Sequence, residues 1–165
     1  MSWISETDAD TPLERVLGQR PELVARYRRF YQALWQDGSV PRRLLELTRL
    51  RIAAIHDCDA EWLIRDAGAG VDADEVEALA AGRFDAFTES ERAALAVAEQ
   101  MPYAHHQISD ADVAALQRLL GPAATVTLIT ALAFFDVACR LKLVLDIDAQ
   151  AAALDAAPLR RGALI

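Results

Sequence analysis

Cysteine is scarce in this 165-residue chain, which has only Cys58 and Cys139. Two thiols 81 positions apart make no disulfide framework, and their pairing is not readable from the sequence. No Cys/His cluster has zinc-ligand spacing, so no metal is expected. His105 and His106 are adjacent and on a helix would point about 100° apart, so they read as loop residues rather than ligands. Convincing strands are also missing, because alternating segments are short and lack turn dipeptides. The start, Met1 to Glu6, has no basic region followed by an apolar stretch, which predicts a cytoplasmic protein. No apolar run approaches the roughly 20 residues of a bilayer span, so no membrane association is expected. Positive charge is in deficit, with 17 basic residues against 25 acidic ones and a net charge of −8. That argues against general nucleic-acid binding, which needs a concentrated basic surface. Nine of the sixteen arginines nevertheless fall between Arg15 and Arg51. A solvated face, or arginines paired with acidic neighbours or another subunit, is favoured over an RNA or anionic-ligand site.

What the chain has in abundance is helix-forming apolar residue. The hydrophobic fraction is 53%, much of it Ala and Leu. The length suits one domain with a real core, and the punctuation predicts an all-α domain; its apolar final helix and the aromatic-rich helix from Leu23 to Trp35 predict an oligomeric helical bundle. Thr11-Pro12-Leu13-Glu14 is a capping box with proline at the first helical position. Pro21 starts a helix carrying Leu23, Tyr27, Phe30, Tyr31 and Leu34, ended by Gly38. Pro41 opens a third, interrupted at Asp57-Cys58-Asp59, where either Asp could cap a next helix running to Gly68 or Gly70. Further starts are expected at Asp72–Glu75, Thr88–Glu91 and, more weakly, Ser109–Asp112, and Gly121-Pro122 is a sharp stop. The last long helix, from about Ala123 to Leu145, is apolar nearly all round. Such a helix is central or shared between subunits.

Residues 44–54, Leu-Leu-Glu-Leu-Thr-Arg-Leu-Arg-Ile-Ala-Ala, followed by Cys58-Asp59-Ala60-Glu61-Trp62, resemble the signature segment of the carboxymuconolactone decarboxylase and alkylhydroperoxidase-D-like family. In the alkylhydroperoxidase-D branch a glutamate precedes a CxxC motif by twelve positions, and a histidine follows the second cysteine by four. Glu46 stands at the glutamate position and Cys58 at the first cysteine. Glu61 replaces the second cysteine and Arg65 replaces the histidine, so the motif is degenerate. A branch with Glu-Trp, here Glu61-Trp62, is the nearest. The resemblance covers roughly residues 40–148, which marks 1–39 as an N-terminal helical extension and 149–165 as a tail that frays or packs on a neighbour.

The resemblance implies three functional readings. In a thiol-dependent peroxide reductase, Cys58 at a helix start is the nucleophile, and Glu46 accepts a proton or orients a water. His56 is a candidate replacement base, and equally a helix-end residue. Glu61, Trp62 and Arg65 are the candidate binding residues. Asp57, Asp59 and Glu61 oppose ionisation of the thiol; Arg65 either offsets them or pairs with Glu61 at the favourable i, i+4 spacing. With no CxxC, the sulfenic acid is resolved by an external thiol or by Cys139, although Cys139 in its apolar helix reads mainly as a packing residue. In the second reading, a cofactor-free lyase acts on a small organic acid held by Arg49, Arg51 or Arg65. In the third, the scaffold has lost the chemistry, and Cys58 and Glu46 are buried residues, Glu46 with an arginine partner. No cofactor is implied. The partners expected are a small-molecule substrate or external thiol reductant and further copies of the chain, as a hexamer or trimer.

Geometry adds one condition. On a single straight helix Glu46 and Cys58 would stand about 18 Å apart, at roughly 1.5 Å per residue. They can cooperate only if the chain bends near His56-Asp57 or a neighbouring subunit closes the gap, and a sharp turn around Asp57–Asp59 is expected.

Overall fold

The computed structural model describes residues 4–9 and 11–147; the expected tail lies outside the described residues. Eight α-helices and two 3-10 turns make up the regular structure among those residues, with no strand. They are α1 (Pro12–Leu17), α2 (Pro21–Gln36), α3 (Arg42–Ile55), α4 (Asp59–Trp62), α5 (Ala73–Ala80), α6 (Glu89–Gln100), α7 (Asp110–Leu120) and α8 (Pro122–Val144).

Local chemistry accounts for most of the boundaries. Asp72, Thr88 and Ser109 each accept from the backbone N–H three residues on. Glu75, Glu91 and Asp112 reach back to the cap N–H, giving three complete capping boxes. The weak signal at Ser109 is thus as complete as the others.

Helix α3 is the hub. Every residue from Leu44 to Ala54 is buried, and the helix packs against α4, α5, α6 and α8. Its apolar side chains join Leu79, Leu95, Leu116, Leu128, Leu132 and Phe135 in one core. Because the helix is enclosed on all sides, its polar residues Glu46, Thr48, Arg49 and Arg51 are buried as well. Each therefore needs an internal partner.

Helix α8 is the second central element. It lays Leu128, Ala131, Leu132, Phe135 and Ala138 into the core. Phe134 meets the rings of Tyr27, Phe30 and Tyr31 on α2. By length and composition this 23-residue helix, with a window of mean hydropathy 1.7, reaches what a bilayer span requires. The expectation that no run comes close is corrected, since Asp136, Arg140 and Lys142 cluster near its C-terminal end and leave the rest uninterrupted. Its packing against α2, α3, α4 and α7 accounts for the buried part of its apolar surface, while Val126, Val137, Leu143 and Val144 are exposed.

The sharp turn after α3 is present. His56 ends the helix, Asp57 takes φ +53°, and the Cys58 N–H returns to the Ala53 carbonyl at 3.0 Å. This is a Schellman closure with aspartate in the left-handed position usually held by glycine. The helix expected to run from there to Gly68 or Gly70 is only one turn long. The carbonyls of Glu61 and Ile64, which would continue it, accept instead from Arg49 at 2.7 and 2.6 Å. The Asp66 N–H is drawn to Glu46 at 3.0 Å.

Candidate functional site

The turn after α3 folds α4 back against the middle of that helix and against the C-terminal half of α8. Four charged side chains meet there in series. Arg49 Nε and Nη2 donate to the two carboxylate oxygens of Glu46 at 2.9 and 2.8 Å. Arg49 Nη1 donates to Glu61 Oε2 at 2.8 Å, and Lys142 Nζ to Glu61 Oε1 at 2.6 Å. With the two carbonyls, all five N–H groups of Arg49 are used. All four residues are buried, and their formal charges cancel.

The opposite charges set the ionisation of Glu61 and Arg49. Burial pushes the Glu61 carboxyl upward, but Lys142 and Arg49 outweigh it and hold it below its ordinary range. Burial likewise opposes the charge on Arg49, and Glu46 and Glu61 reverse that. Glu46 has Arg49 as its partner. Glu61 pairs with Arg49 and Lys142 rather than with Arg65 four residues on.

The thiols lie beside this network. Cys58 and Cys139 are both free and buried. The Cys58 thiol sits 4.0 Å from the Cys139 carbonyl, close enough for the two side chains to act on each other's ionisation. The Cys139 S–H lowers the Cys58 pKa, and the Glu61 N–H and the Lys142 charge act in the same direction. Burial and the Glu61 carboxylate oppose them. The same interaction pushes Cys139 up, as does burial, so Cys139 keeps its proton. Nothing in the spacing of the two cysteines announces this meeting; it follows from α4 crossing α8. Lys142 was the one available clue, since a cation inside a buried apolar helix needs an anion nearby.

The bend does not join Glu46 to Cys58. The partners of Glu46 are Arg49 and the Asp66 N–H, whereas Cys58 faces Cys139. His56 is engaged elsewhere. Its Nε2 lies 2.6 Å from Asp136 Oδ1 and its Nδ1 2.9 Å from the Tyr103 hydroxyl. Asp136 also receives Arg140 Nε at 3.0 Å. With Nε2–H donating to Asp136, Nδ1 is left to accept from Tyr103, and His56 bridges α3, α8 and the loop after α6.

Trp62 is buried, and the Arg65 guanidinium lies 4.8 Å over its ring. Burial, with the nearby charge of Arg49, lowers the pKa of Arg65 to about 10. Of the three arginines considered for a carboxylate, Arg49 is fully occupied. Arg51 holds Glu99 at 2.7 Å and the Leu79 carbonyl at 2.8 Å. Arg65 Nη1 donates to the Ile64 carbonyl at 3.1 Å, and no carboxylate bonds to it.

Among the described residues, no group of histidine, cysteine and acidic side chains is arranged to hold a metal ion.

The profile of the carboxymuconolactone decarboxylase family matches residues 21–100. Among solved structures, the chain is similar to the alkylhydroperoxidase AhpD core of an uncharacterized peroxidase-related protein from Ralstonia eutropha JMP134. The identity is 18% and the TM-score 0.68, over 86% of this chain and 78% of that one. At that identity the likeness is one of fold. No curated protein matches the sequence.

Proposed function

We propose that this chain, whose residues 21–100 match the carboxymuconolactone decarboxylase family, is a member of that family and a thiol-dependent reductase of small hydroperoxides. Cys58 is the attacking thiol and Cys139 the resolving one. The observation that carries this reading is the placement of the Cys58 thiol 4.0 Å from the Cys139 carbonyl, where the Cys139 side chain also lowers the Cys58 pKa.

The chemistry balances within the pair. The Cys58 thiolate attacks the distal peroxide oxygen and the O–O bond breaks. The departing hydroxide, or alkoxide from a small alkyl hydroperoxide, takes a proton from Cys139 and leaves as water or the alcohol, while Cys58 becomes a sulfenic acid. The Cys139 thiolate then attacks the Cys58 sulfur, a disulfide forms, and hydroxide departs as water after taking up a proton. An external dithiol returns both residues to the reduced form. Burial of Cys58 restricts the oxidant to molecules about the size of hydrogen peroxide. Glu46 and Glu61 act as positioning residues, holding α4 against α3 and α8 through Arg49 and Lys142.

The test follows stoichiometric hydrogen peroxide consumption in reduced wild type, Cys58→Ser and Cys139→Ser, with peptide mapping of the products. Wild type is expected to yield a Cys58–Cys139 disulfide. Cys139→Ser should stop at a sulfenic acid that a dimedone probe traps, and Cys58→Ser should do neither. Equal consumption by wild type and Cys58→Ser rejects the proposal and leaves the family scaffold without thiol chemistry.

We further propose that the chain is a homo-oligomer, a hexamer or trimer. Val126, Val137 and Val144 are exposed along one face of α8, and Leu23 and Phe30 are exposed on the neighbouring α2.

A further inference from the structure

A cleft of about 360 Å³ lies between α2, α3 and the segment after α4. Its rim includes Gln32 and Gln36, both exposed, and one wall is aromatic, with the rings of Tyr31 and Trp35 6.1 Å apart. Three arginines, Arg42, Arg49 and Arg65, line it against two carboxylates, Glu46 and Asp66. Arg42 is paired with Asp66, and Arg49 with Glu46. The other carboxylate on Arg49, Glu61, is matched in turn by Lys142. One positive charge, that of Arg65, is left over in a protein whose net charge is −8.

Two hydrogen-bond donors at this cleft are also left over. Arg65 Nη2 is buried with no partner. So is Trp35 Nε1, with the Tyr31 hydroxyl in electrostatic reach but not in bonding geometry. A buried donor without an acceptor is costly and uncommon in a folded protein. Here two such donors, one of them cationic, belong to side chains lining the same cleft.

We propose that this cleft binds a small monocarboxylate with a flat, apolar body. The carboxylate accepts from Arg65 Nη2 and Trp35 Nε1, and the body lies along the rings of Trp35 and Tyr31. A single negative charge matches the single surplus cation, whereas a second would face Glu46 and Asp66. Entry requires the long side chains at the rim to part, because both donors are covered when the cleft is empty. The site is independent of the thiol chemistry, since neither cysteine lines it.

Benzoate is the probe, with benzamide and acetate as controls, titrated calorimetrically into wild type, Arg65→Met, Arg65→Lys and Trp35→Phe, with melting temperatures recorded for each. Benzoate should bind with millimolar affinity and raise the wild-type melting temperature. Benzamide, which lacks the charge, and acetate, which lacks the body, should bind more weakly. Arg65→Met should weaken benzoate by about tenfold or more, the range for a charge-assisted hydrogen bond. Trp35→Phe keeps a ring but loses the N–H, and Arg65→Lys keeps the charge but loses the fork, so each should fall between. Should Arg65→Met fail to fold, Arg65→Lys and Trp35→Phe carry the comparison. Equal affinity of benzoate for wild type and the variants, equal affinity for benzoate and either control, or no binding of benzoate overturns the proposal.

Discussion

Glu46 and Arg49, one turn apart on α3, form a fork-to-fork ion pair that is almost entirely removed from solvent. The pair is local in sequence, yet its role is tertiary. The remaining Arg49 N–H groups reach across to the Glu61 carboxylate and to the carbonyls of Glu61 and Ile64. Glu46 also receives the Asp66 N–H. Segment 61–66 is thus fastened to α3 by the Arg49 guanidinium and the Glu46 carboxylate, with Arg42 holding Asp66 at the exposed end.

Replacing Glu46 with Gln should therefore act mainly on stability. Arg49 would keep Glu61 but lose its bidentate anion inside the core. Breaking one partner of a buried pair costs about 3 kcal/mol or more. Urea unfolding of the variant is expected to show a loss of that order, and a loss below about 1 kcal/mol, the range of an exposed pair, would show that the pair is not structural.

Acid should destabilise the protein through Glu61. Its folded pKa lies below the ordinary 4.5, because Lys142 and Arg49 outweigh burial. A carboxylate with a depressed folded pKa contributes stability that is present above its unfolded pKa and lost as pH falls through the folded value. Stability should hold above pH 4.5 and decline below it. Glu61→Gln, less stable at neutral pH, should show a shallower acid limb. Parallel limbs in denaturant titrations across pH would assign acid unfolding to other groups.

The thiol pair should be visible by titration. The Cys139 S–H is the largest influence lowering the Cys58 pKa, so Cys139→Ala should move the Cys58 thiolate titration, followed by ultraviolet absorbance, to higher pH. Cys58→Ala should leave Cys139 protonated where a free thiol ionises, because burial alone raises it. An unchanged Cys58 titration in Cys139→Ala would separate the two thiols.

Self-association should depend on the exposed faces of α2 and α8. Phe30 and Val137 are 44% and 45% exposed. A glutamate at either position should disperse an oligomer while preserving helicity. Sedimentation of the wild type as a stable monomer at micromolar concentration would remove the assembly proposal.

Sequence alone determined where most helices begin and end. Caps such as Asp72 with Glu75 and Thr88 with Glu91 act between residues three apart, so composition along the chain suffices to place them. It also marked the turn at Asp57 and placed Cys58 at the start of a helix. Tertiary structure decided what those residues do. The turn delivers Glu61, not Cys58, to the Glu46–Arg49 pair, and the crossing of α4 with α8 brings Cys139 and Lys142 beside Cys58. Those partners are more than 80 residues away in sequence. Helical periodicity tells which face of a helix is apolar, but not which helix crosses it or at which residue. The length of α4 was decided in the same way, since local propensity favoured more helix and the donors of Arg49 took the carbonyls that a longer helix would have used.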